Sequence, residues 1–539
     1  MSSYKDLASI QEVRDLLAQA HEAVQEFRAY DQERTDKIVK AMADAGYEAA
    51  ERLGKMAYEE TGFGKPEDKK KKNEFATRRV WESIKDLRTA GVIHEDREKK
   101  IIEIGEPMGV VAALIPSTNP TSSMMFKAII SLKGRNAIVA SPHPKAILST
   151  LEATKLMREA AESAGAPKGI IHCMTQPTLE GTNELMRNKL TGVILATGSG
   201  AMVKAAYSSG KPAYGVGPGN VPAFIERTAN IQKAVADVLS GKQFDNGVLC
   251  STESSLICDS PIKDQVVAEC NRLGGYFVEG EDKEKLSRLM FDREGHLNAA
   301  MVGKSALFIA EQAGIKVPTE TKVLIAELNA VGKNIPLSRE KLSPILSFYT
   351  ELNWRDACHR CIELLEFGGV GHTMVIHSTD EDIIMKFAIE KPASRILVNT
   401  QSAFGAVGGT NELLPSLTLG PGTIGGSIIS ENVSAKHLIN IKRLVFETRP
   451  INPSQYSEQK FVKPQATKPA TEIKPTESWI EKIEQHLREG AGNIPVWKKS
   501  TEQPTKETEK VTPPKGGNVL GSGISEEEVE KIIREFQKK

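Results

Sequence analysis

The chain has 539 residues, of which 40% are apolar and 26% are charged, and its 70 basic residues balance its 70 acidic residues. This length predicts two or three globular domains, and the zero net charge gives no attraction to nucleic acid or to an anionic membrane surface. The polar start of the chain and the lack of an apolar run of about 18 residues predict neither a secretory signal nor a membrane span. Six scattered cysteines are typical of reduced thiols, so we expect a cytoplasmic protein.

Residues 5–90 are predicted to be mostly helical, because Ala, Glu, Lys, Arg and Leu dominate and apolar positions recur at helical spacing. Gly62 follows a helical stretch and is expected to act as its C-terminal cap. The polar runs at 65–74 and 95–100 are interpreted as solvated surface.

Between residues 100 and 260, short apolar runs alternate with helical stretches. This alternation predicts a parallel sheet with helices on both faces, and such sheets bind ligands at the carboxyl ends of their strands. The predicted strands cover residues 109–116, 136–141, 169–174 and 192–197. The predicted helices cover residues 122–134, 147–165 and a segment that starts near residue 200.

Residues 260–450 continue the α/β pattern, which predicts a second α/β domain. The pattern stops after about residue 452, where Pro, Lys, Thr and Gln dominate and indicate flexible linkers. One amphipathic helix is predicted within the linkers at 476–490, and another closes the chain at 524–539.

The segment 242–258 contains the most informative cysteine, Cys250, shortly after a turn that includes Asn246 and Gly247. Such a turn lets a substrate approach closely, and nearby backbone N–H groups can hold an oxyanion, so the pattern suits a thiolate nucleophile. By itself the pattern is weak, because a single cysteine in a long chain is most often a small core residue.

Further segments match, in order and spacing, the aldehyde dehydrogenase superfamily, and they most resemble its CoA-acylating branch. The matching segments are 106–129, 194–222, 242–258, 339–346, 368–378 and 415–444, so the resemblance covers roughly residues 5–447. It implies an α/β fold with two Rossmann-like parallel-sheet domains, an oligomerisation hairpin and a flexible helical C-terminal tail. The implied parts are a NAD-binding domain at 1–240 with a hairpin near 95–105, a catalytic domain at 241–434, a return to the oligomerisation sheet at 435–450, linkers at 451–523 and the tail helix at 524–539.

The resemblance implies three catalytic residues. Cys250 matches the nucleophile that attacks the aldehyde carbonyl to give a thiohemiacetal. Asn119 matches the asparagine whose amide stabilises the oxyanion, and the alternative is an ordinary turn residue before Pro120. His372 matches a histidine of the acylating enzymes that could assist deprotonation of the CoA thiol or steer the acyl exchange. The alternative for His372 is a histidine hydrogen-bonded within a sheet.

The fate of the acyl group depends on a missing carboxylate. Hydrolytic relatives use a glutamate about 34 residues before the cysteine to activate water, and that offset falls on Val216 here. The segment 215–220 contains no carboxylate. Attack by water on a thioester should then be slow, whereas a thiol acceptor needs no activated water, and this favours CoA as the second substrate.

The resemblance also places the cofactor. Thr197, Gly198 and Ser199 join a strand to a helix and are expected beside a dinucleotide, although the usual Gly-x-Gly-x-x-Gly pattern is absent. Glu340 is expected to hydrogen-bond the nicotinamide ribose, with a structural ion pair as the alternative, and Leu342 to pack near the nicotinamide. His143 is expected near the adenosine ribose, or near a 2′-phosphate if one were present, and the branch favours NAD over NADP.

No metal site is predicted. Cys358 and Cys361 resemble half of a zinc site, but a structural zinc needs four ligands and the sequence has no second Cys-x-x-Cys. The same stretch is typical of an amphipathic helix with both cysteines on one face.

The terminal segment 524–539 predicts a helix that begins with a capping box of Ser525 and Glu528. A helix this short is marginal alone in water, so we expect it to dock on another surface. It resembles the encapsulation peptides that carry enzymes into bacterial microcompartments, with the shell or neighbouring enzymes as partners. The alternative is packing on its own catalytic domain, and the helix at 476–490 could be a second docking element.

Together these features predict a homo-oligomer that oxidises a short aldehyde, acetaldehyde or propionaldehyde, with NAD and CoA to acyl-CoA and NADH. The alternatives are an acylating sulfoacetaldehyde dehydrogenase, a hydrolytic aldehyde dehydrogenase and a scaffold without activity. Val216 argues against hydrolysis, and the presence of Cys250, Asn119 and Glu340 argues against a scaffold.

Overall fold

The computed structural model describes residues 4–449 and residue 451. The chain divides into two units, residues 1–450 and 451–539, and nearly all of the described residues belong to the first. The predicted helices at 476–490 and 524–539 lie outside the described residues. None of the described helices combines the length and the apolar character that crossing a bilayer requires.

Helices and strands alternate through most of the described chain. The α-helices are Tyr4–Phe27 (α1), Gln32–Glu48 (α2), Ala50–Thr61 (α3), Pro66–Glu74 (α4), Val80–Ile84 (α5), Pro120–Lys133 (α6), Ile147–Ser163 (α7), Leu179–Arg187 (α8), Gly200–Tyr207 (α9), Ile231–Gln243 (α10), Lys263–Arg272 (α11), Gly280–Met290 (α12), Ala306–Ala313 (α13), Trp354–Gly368 (α14), Glu381–Glu390 (α15) and Ser402–Gly405 (α16). The strands are Gly91–Asp96 (β1), Ile101–Pro107 (β2), Val110–Ile115 (β3), Ala137–Pro142 (β4), Ile171–Cys173 (β5), Thr191–Thr197 (β6), Ala213–Val216 (β7), Val221–Ile225 (β8), Glu253–Asp259 (β9), Gly275–Phe277 (β10), Val323–Glu327 (β11), Ile345–Glu351 (β12), Gly371–His377 (β13), Ala393–Val398 (β14) and Ile439–Val445 (β15).

The first large sheet has five parallel strands in the order β5-β4-β3-β6-β7. Every residue of β3 and β4 is buried, which explains why both strands are continuous apolar or small-residue runs. Crossover helices such as α6 and α7 connect these parallel strands. The predicted parallel α/β sheet is therefore confirmed.

The second large sheet has seven parallel strands in the order β10-β11-β12-β9-β8-β13-β14. Its strand β8 covers Val221–Ile225 and comes before residue 241, where the predicted catalytic domain begins. The two central strands β8 and β9 are entirely buried. Strand β9 begins at Glu253, so the segment that carries Cys250 leads directly into the centre of this sheet.

A third sheet is small and antiparallel. Strands β1 and β2 form a hairpin, and β15 pairs with β2 from Ile439 to Val445. Apolar side chains of this sheet are exposed, namely Val92, Ile441, Leu444 and Val445. Its predicted part in oligomer contacts stays a prediction.

The two polar runs of the N-terminal half behave differently. Residues 97–100 are exposed, as predicted, and Gly62 ends α3 in the left-handed conformation with φ 65°. The interpretation of 65–74 as solvated surface is wrong, because this run forms α4 and buries Asp68, Lys69, Lys72 and Asn73. Helix α4 contains no apolar residue, so the face that it packs into the protein has to be polar.

Candidate active site

A turn with left-handed backbone conformations directly precedes the segment that carries Cys250. Asp245, Asn246 and Gly247 all have positive φ angles, of 47°, 51° and 71°. Asp and Asn tolerate this left-handed conformation better than other non-glycine residues, but it still costs about 1 kcal/mol or more per residue. Contacts hold the turn in place: the Asn246 amide donates to the carbonyl oxygens of Gly64, at 3.2 Å, and of Gly303, at 2.9 Å. The position of the thiol is therefore fixed by elements distant in sequence.

The Cys250 thiol lies against a histidine. Its Sγ is 3.3 Å from Nε2 of His372, which lies near the start of β13. Burial, and then the nearby Glu340 carboxylate, raise the pKa of the Cys250 thiol to about 12. Cys250 is thus a protonated thiol in a hydrogen bond with an imidazole.

His372 is itself held from its other side. Its Nδ1 is 3.0 Å from the Thr373 hydroxyl, which also accepts a hydrogen bond from Arg395 at 3.2 Å. The Arg395 guanidinium donates to the carbonyl oxygen of His372 at 2.7 Å. Burial, and then the charge of Arg395, lower the pKa of His372 to about 3. The imidazole is therefore neutral, which is the form that a proton acceptor requires.

A glycine loop closes over the nucleophile segment. A Cβ atom built at Gly219 would lie 2.1 Å from the Cys250 carbonyl oxygen, so only glycine fits this approach. The Gly219 N–H donates to Oε1 of Glu340 at 3.0 Å. Burial raises the pKa of Glu340 to about 7. The structure thus brings Glu340 to the same loop that contacts the Cys250 backbone.

The position that hydrolytic relatives fill with a glutamate is apolar here. Val216 ends β7 and is buried. It belongs to the apolar cluster against which the Cys250 side chain packs. The Val216 side chain carries only methyl groups and cannot act as a general base.

The turn at 197–200 could hold part of a dinucleotide. The Thr197 hydroxyl is buried and has no hydrogen-bond partner among the described residues, so it is available to a ligand. Ser199 caps α9 by accepting from the backbone N–H of Met202, and the helix N-terminus favours a negatively charged group. A Cβ atom at Gly200 would lie 3.9 Å from Cδ of Pro218, so this turn borders the loop that carries Gly219. The residues present therefore fit a nicotinamide dinucleotide, whose phosphates the start of α9 would hold.

The other two residues predicted to contact the cofactor are His143, which is exposed, and Leu342, which packs near the Cys250 segment. His143 directly follows β4 and is exposed, with its ring Nδ1 accepting from the Lys145 N–H at 3.1 Å. Burial of part of the ring lowers the pKa of His143. Leu342 has a left-handed backbone with φ 44° and packs on a cluster that includes Val248, two residues before Cys250.

Asn119 is the N-cap residue of α6, at the carboxyl end of β3. Its side-chain oxygen accepts a hydrogen bond from Nζ of Lys72, and its Nδ2 donates to the Thr118 hydroxyl at 3.1 Å. Lys72 also pairs with the Asp245 carboxylate, on the turn before Cys250. The structure thus connects Asn119 to the nucleophile segment through a buried ion pair.

Sequence reasoning missed the ionic cluster around Asp245. Its carboxylate also pairs with Lys69 at 3.2 Å, and its backbone N–H donates to Asp68 at 2.9 Å. Asp68, Lys69 and Lys72 fall on one face of a helix, at positions i, i+1 and i+4. Charged residues at this spacing, on a helix with no apolar residue, are the sequence feature from which a buried polar face could have been predicted.

The two cysteines considered for zinc lie in a core. Cys358 and Cys361 are on α14 within an apolar cluster, and Cys358 also contacts Lys391 and Glu390. Among the described residues, one group of three potential metal ligands lies close together, the exposed Asp292, Glu294 and His296. Exposed acidic groups of this kind occur without a metal, and this group lies on the loop after α12.

Two parallel sheets flanked by helices, with a partly buried cysteine in contact with a buried histidine and a glycine-containing turn at a helix start, are typical of a nucleotide-binding enzyme that has a thiol in its site. The sequence model of the aldehyde dehydrogenase family matches residues 5–273. A solved acetylating aldehyde dehydrogenase from Geobacillus thermoglucosidasius is 53% identical with a TM-score of 0.82, and the match covers 83% of this chain and 98% of that one. The chain therefore belongs to the aldehyde dehydrogenase family.

Two more distant comparisons extend this result. Aldehyde-alcohol dehydrogenase 2 of Entamoeba histolytica is 42% identical over 485 residues, which cover 88% of this chain and 56% of that protein. The chain thus spans about half the length of the curated bifunctional relatives that it matches. A propionaldehyde dehydrogenase from the fucose utilisation microcompartment of Clostridium phytofermentans is 28% identical with a TM-score of 0.73, over 80% of this chain and 97% of that one.

Proposed function

We propose that the protein is a CoA-acylating aldehyde dehydrogenase that converts a short aldehyde, NAD and CoA into acyl-CoA and NADH. The observation that carries this proposal is the contact between Cys250 and His372, with Cys250 packed on the apolar cluster that includes Val216. A thiol nucleophile can form a thioester, and a site without a carboxylate at the Val216 position favours release to a thiol over release to water. The Geobacillus thermoglucosidasius relative, whose match covers 83% of this chain, is an acetylating aldehyde dehydrogenase, which supports the same reaction.

The first step forms a bond between Cys250 Sγ and the aldehyde carbon. The thiol proton passes to Nε2 of His372, the hydrogen-bond partner of Sγ at 3.3 Å. The negative charge that develops on the aldehyde oxygen is stabilised by the Asn119 amide and the Cys250 backbone N–H. The product is the oxyanion of a thiohemiacetal on Cys250. The proton on His372 then leaves to solvent as the H⁺ that the overall reaction releases, which returns the imidazole to its neutral form.

Thr197, Gly198, Ser199 and Glu340 would hold the dinucleotide, with Leu342 beside the nicotinamide and His143 near the adenosine ribose. When bound, NAD accepts the hydride of the thiohemiacetal carbon, which leaves a thioester on Cys250. Glu340 would accept hydrogen bonds from the ribose hydroxyls. It can do so because one of its oxygens has the Gly219 N–H as its partner and the other is not committed to a hydrogen bond in the described residues.

The acyl group then moves to the thiol of CoA. The new sulfur–carbon bond forms as the Cys250 sulfur–carbon bond breaks, and the thiol proton of CoA ends on the Cys250 sulfur. His372 is proposed to carry that proton, because it is neutral at rest and its Nε2 faces the sulfur that leaves. Acetaldehyde and propionaldehyde are the proposed substrates, with sulfoacetaldehyde as the alternative.

The protein is also proposed to form a homo-oligomer through β1, β2 and β15, because these strands expose Val92, Leu444 and Val445. The segment 524–539 is proposed to direct it into a bacterial microcompartment, a compartment from which one structural relative originates. Deletion of residues 520–539 would test this, and a truncated protein that still co-localises with shells would refute it.

The activity test uses the purified full chain, a panel of short aldehydes and NAD, with and without CoA, and follows NADH. We expect multiple turnovers with CoA, and without CoA a burst of about one NADH per active site. Multiple turnovers without CoA would instead show a hydrolytic enzyme. Absence of any turnover, with all aldehydes, would show a scaffold.

A further inference from the structure

Helix α4 brings a lysine into contact with both halves of the site. Lys72 is only 4% exposed, and its ammonium group contacts the side-chain oxygen of Asn119 and the carboxylate of Asp245. Asn119 is the N-cap of α6, which follows strand β3 of the five-stranded sheet. Asp245 lies on the turn that leads to Cys250 and to strand β9 of the seven-stranded sheet. One ammonium group thus joins the two segments that have to meet at the reacting carbon.

This contact fixes the orientation of the Asn119 amide. An asparagine side chain has an acceptor oxygen and a donor nitrogen, and rotation about its last bond exchanges them. A cation at the oxygen makes the exchanged orientation unfavourable, because the ammonium group would then face the NH₂ group. The nitrogen is directed away from Lys72, and one of its hydrogens is engaged by the Thr118 hydroxyl at 3.1 Å. The other hydrogen remains for a ligand.

We propose that Lys72 is the positioning residue for the Asn119 amide in the oxyanion site. This inference rests on the proposed function, in which Asn119 stabilises the oxyanion. Lys72 does so in two ways: it holds the amide with its N–H group toward the substrate, and its charge draws electron density to the amide oxygen, which makes the N–H a stronger donor. Asp245 holds Lys72 and is held in turn by the backbone N–H of Lys65 at 2.6 Å. The donor and the nucleophile therefore keep one relative position.

The neighbouring Lys69 provides a matched comparison on the same helix face. It is equally buried, at 2% exposure, and pairs with the same Asp245 carboxylate. Its second hydrogen bond goes to the Thr118 backbone oxygen at 3.1 Å and not to the Asn119 amide. A general effect of positive charge or of helix packing would appear equally in variants of both lysines, whereas orientation of the amide would appear in the Lys72 variant alone.

The experiment is a double-mutant cycle on the full chain. Lys72→Met, Lys69→Met, Asn119→Ala and the double variant of Lys72 and Asn119 are compared by the single-turnover rate of NADH formation at saturating aldehyde and NAD. We expect Lys72→Met to slow this rate by about tenfold to a hundredfold, the range of a hydrogen bond to a charged group. The KM for NAD should stay unchanged, and Lys69→Met should slow the rate by less than about threefold. In the Asn119→Ala background, Lys72→Met should add less than about a twofold loss.

The outcomes separate this inference from the proposed function. If Lys72→Met slows the reaction equally with and without the Asn119 amide, Lys72 acts through something other than Asn119 and the inference is overturned. If Asn119→Ala itself has no effect, the proposed oxyanion role of Asn119 fails first. Lys72→Arg and Lys72→Gln are measured in the same cycle, so the test does not depend on whether the methionine variant folds. Arginine, which keeps the cation, is expected to retain more of the rate than glutamine.

Discussion

The Cys250–His372 pair and the Asp245 cluster with the lysines of α4 differ in charge: the first is a neutral hydrogen-bonded pair, and the second is a set of ion pairs. On the Cys250 side, burial raises the pKa of the thiol to about 12 and lowers the pKa of His372 to about 3, so both groups are neutral at rest. On the α4 side, Lys69 and Lys72 form ion pairs with the buried Asp245 carboxylate. Cys250 is only partly buried, and the buried Arg395 guanidinium beside His372 donates to hydroxyl and carbonyl oxygens, whereas the lysines of α4 pair with a carboxylate.

The difference shows what decides the protonation of a buried group. Removal from water disfavours the charged form of a group, and an opposite charge within hydrogen-bond distance offsets that penalty. The Asp245 cluster provides such an opposite charge, whereas the Cys250–His372 pair has a neutral hydrogen bond in its place. The ion-paired Lys72 can therefore hold the Asn119 amide, the proposed oxyanion donor, while Cys250, the proposed nucleophile, remains a thiol hydrogen-bonded to His372.

The largest effect is expected from removing the nucleophile. Cys250→Ala should lower acyl-CoA formation by roughly 10⁴-fold or more, because no other thiol stands at the reacting position. The measurement is NADH production with aldehyde, NAD and CoA. Cys258→Ala is the control: it removes a buried core thiol of β9 and should leave the activity of the folded protein nearly unchanged. Substantial turnover by Cys250→Ala would show that Cys250 is not the nucleophile of this reaction.

The protonation state of Cys250 can be measured by alkylation. Since the thiolate is the reactive form and the thiol pKa is raised to about 12, the thiolate fraction should increase about tenfold per pH unit from pH 7 to pH 10. The rate of iodoacetamide modification of Cys250, followed by peptide mass spectrometry, should rise by the same factor. A plateau of the modification rate near pH 8 would mean that the site stabilises the Cys250 thiolate. The Cys250–His372 pair would then not be neutral, and its contrast with the ion pairs of Asp245 would be lost.

The Asp245 cluster should be the more fragile of the two when a partner is lost. Asp245→Ala leaves two buried lysines without their common partner, so we expect a loss of about 3–5 kcal/mol in the free energy of unfolding. Thermal unfolding by calorimetry measures this loss. Asp237→Ala is the control, since it breaks a more exposed pair with Lys233 that should contribute less than about 1 kcal/mol. Equal, small losses in both variants would show that the buried cluster does not depend on its charges.

The smallest effect concerns the cofactor. Glu340→Gln keeps an oxygen for the Gly219 N–H but provides a weaker acceptor for ribose hydroxyls, so the KM for NAD should rise about tenfold with kcat changed less than about threefold. Glu253→Gln is the matched control: burial raises the pKa of Glu253 to about 8, so its carboxyl is already largely neutral at pH 7. A similar change in both variants would contradict a specific role for Glu340.

Local patterns made the sheets and the nucleophile predictable. The runs at 109–116 and 136–141 are buried strands because their apolar residues are consecutive, and the structure forms β3 and β4 there. The prediction that residues 65–74 are solvated surface was wrong because it also used only the local pattern, and a polar run normally indicates a solvated surface. Its burial depends on Asp245, which lies 173 residues beyond Lys72 and gives no local signal.

The sequence by itself determined the class of fold and pointed to Cys250 as the candidate nucleophile and to Val216 in place of a base, because apolar periodicity and ordered motifs are local properties of the chain. Only the tertiary structure decided which buried groups carry charge. Cys250 meets His372 across 122 residues, and Lys72 meets Asn119 across 47. Protonation and orientation at this site follow from such long-range contacts, since each depends on the distance to a partner that folding alone brings near.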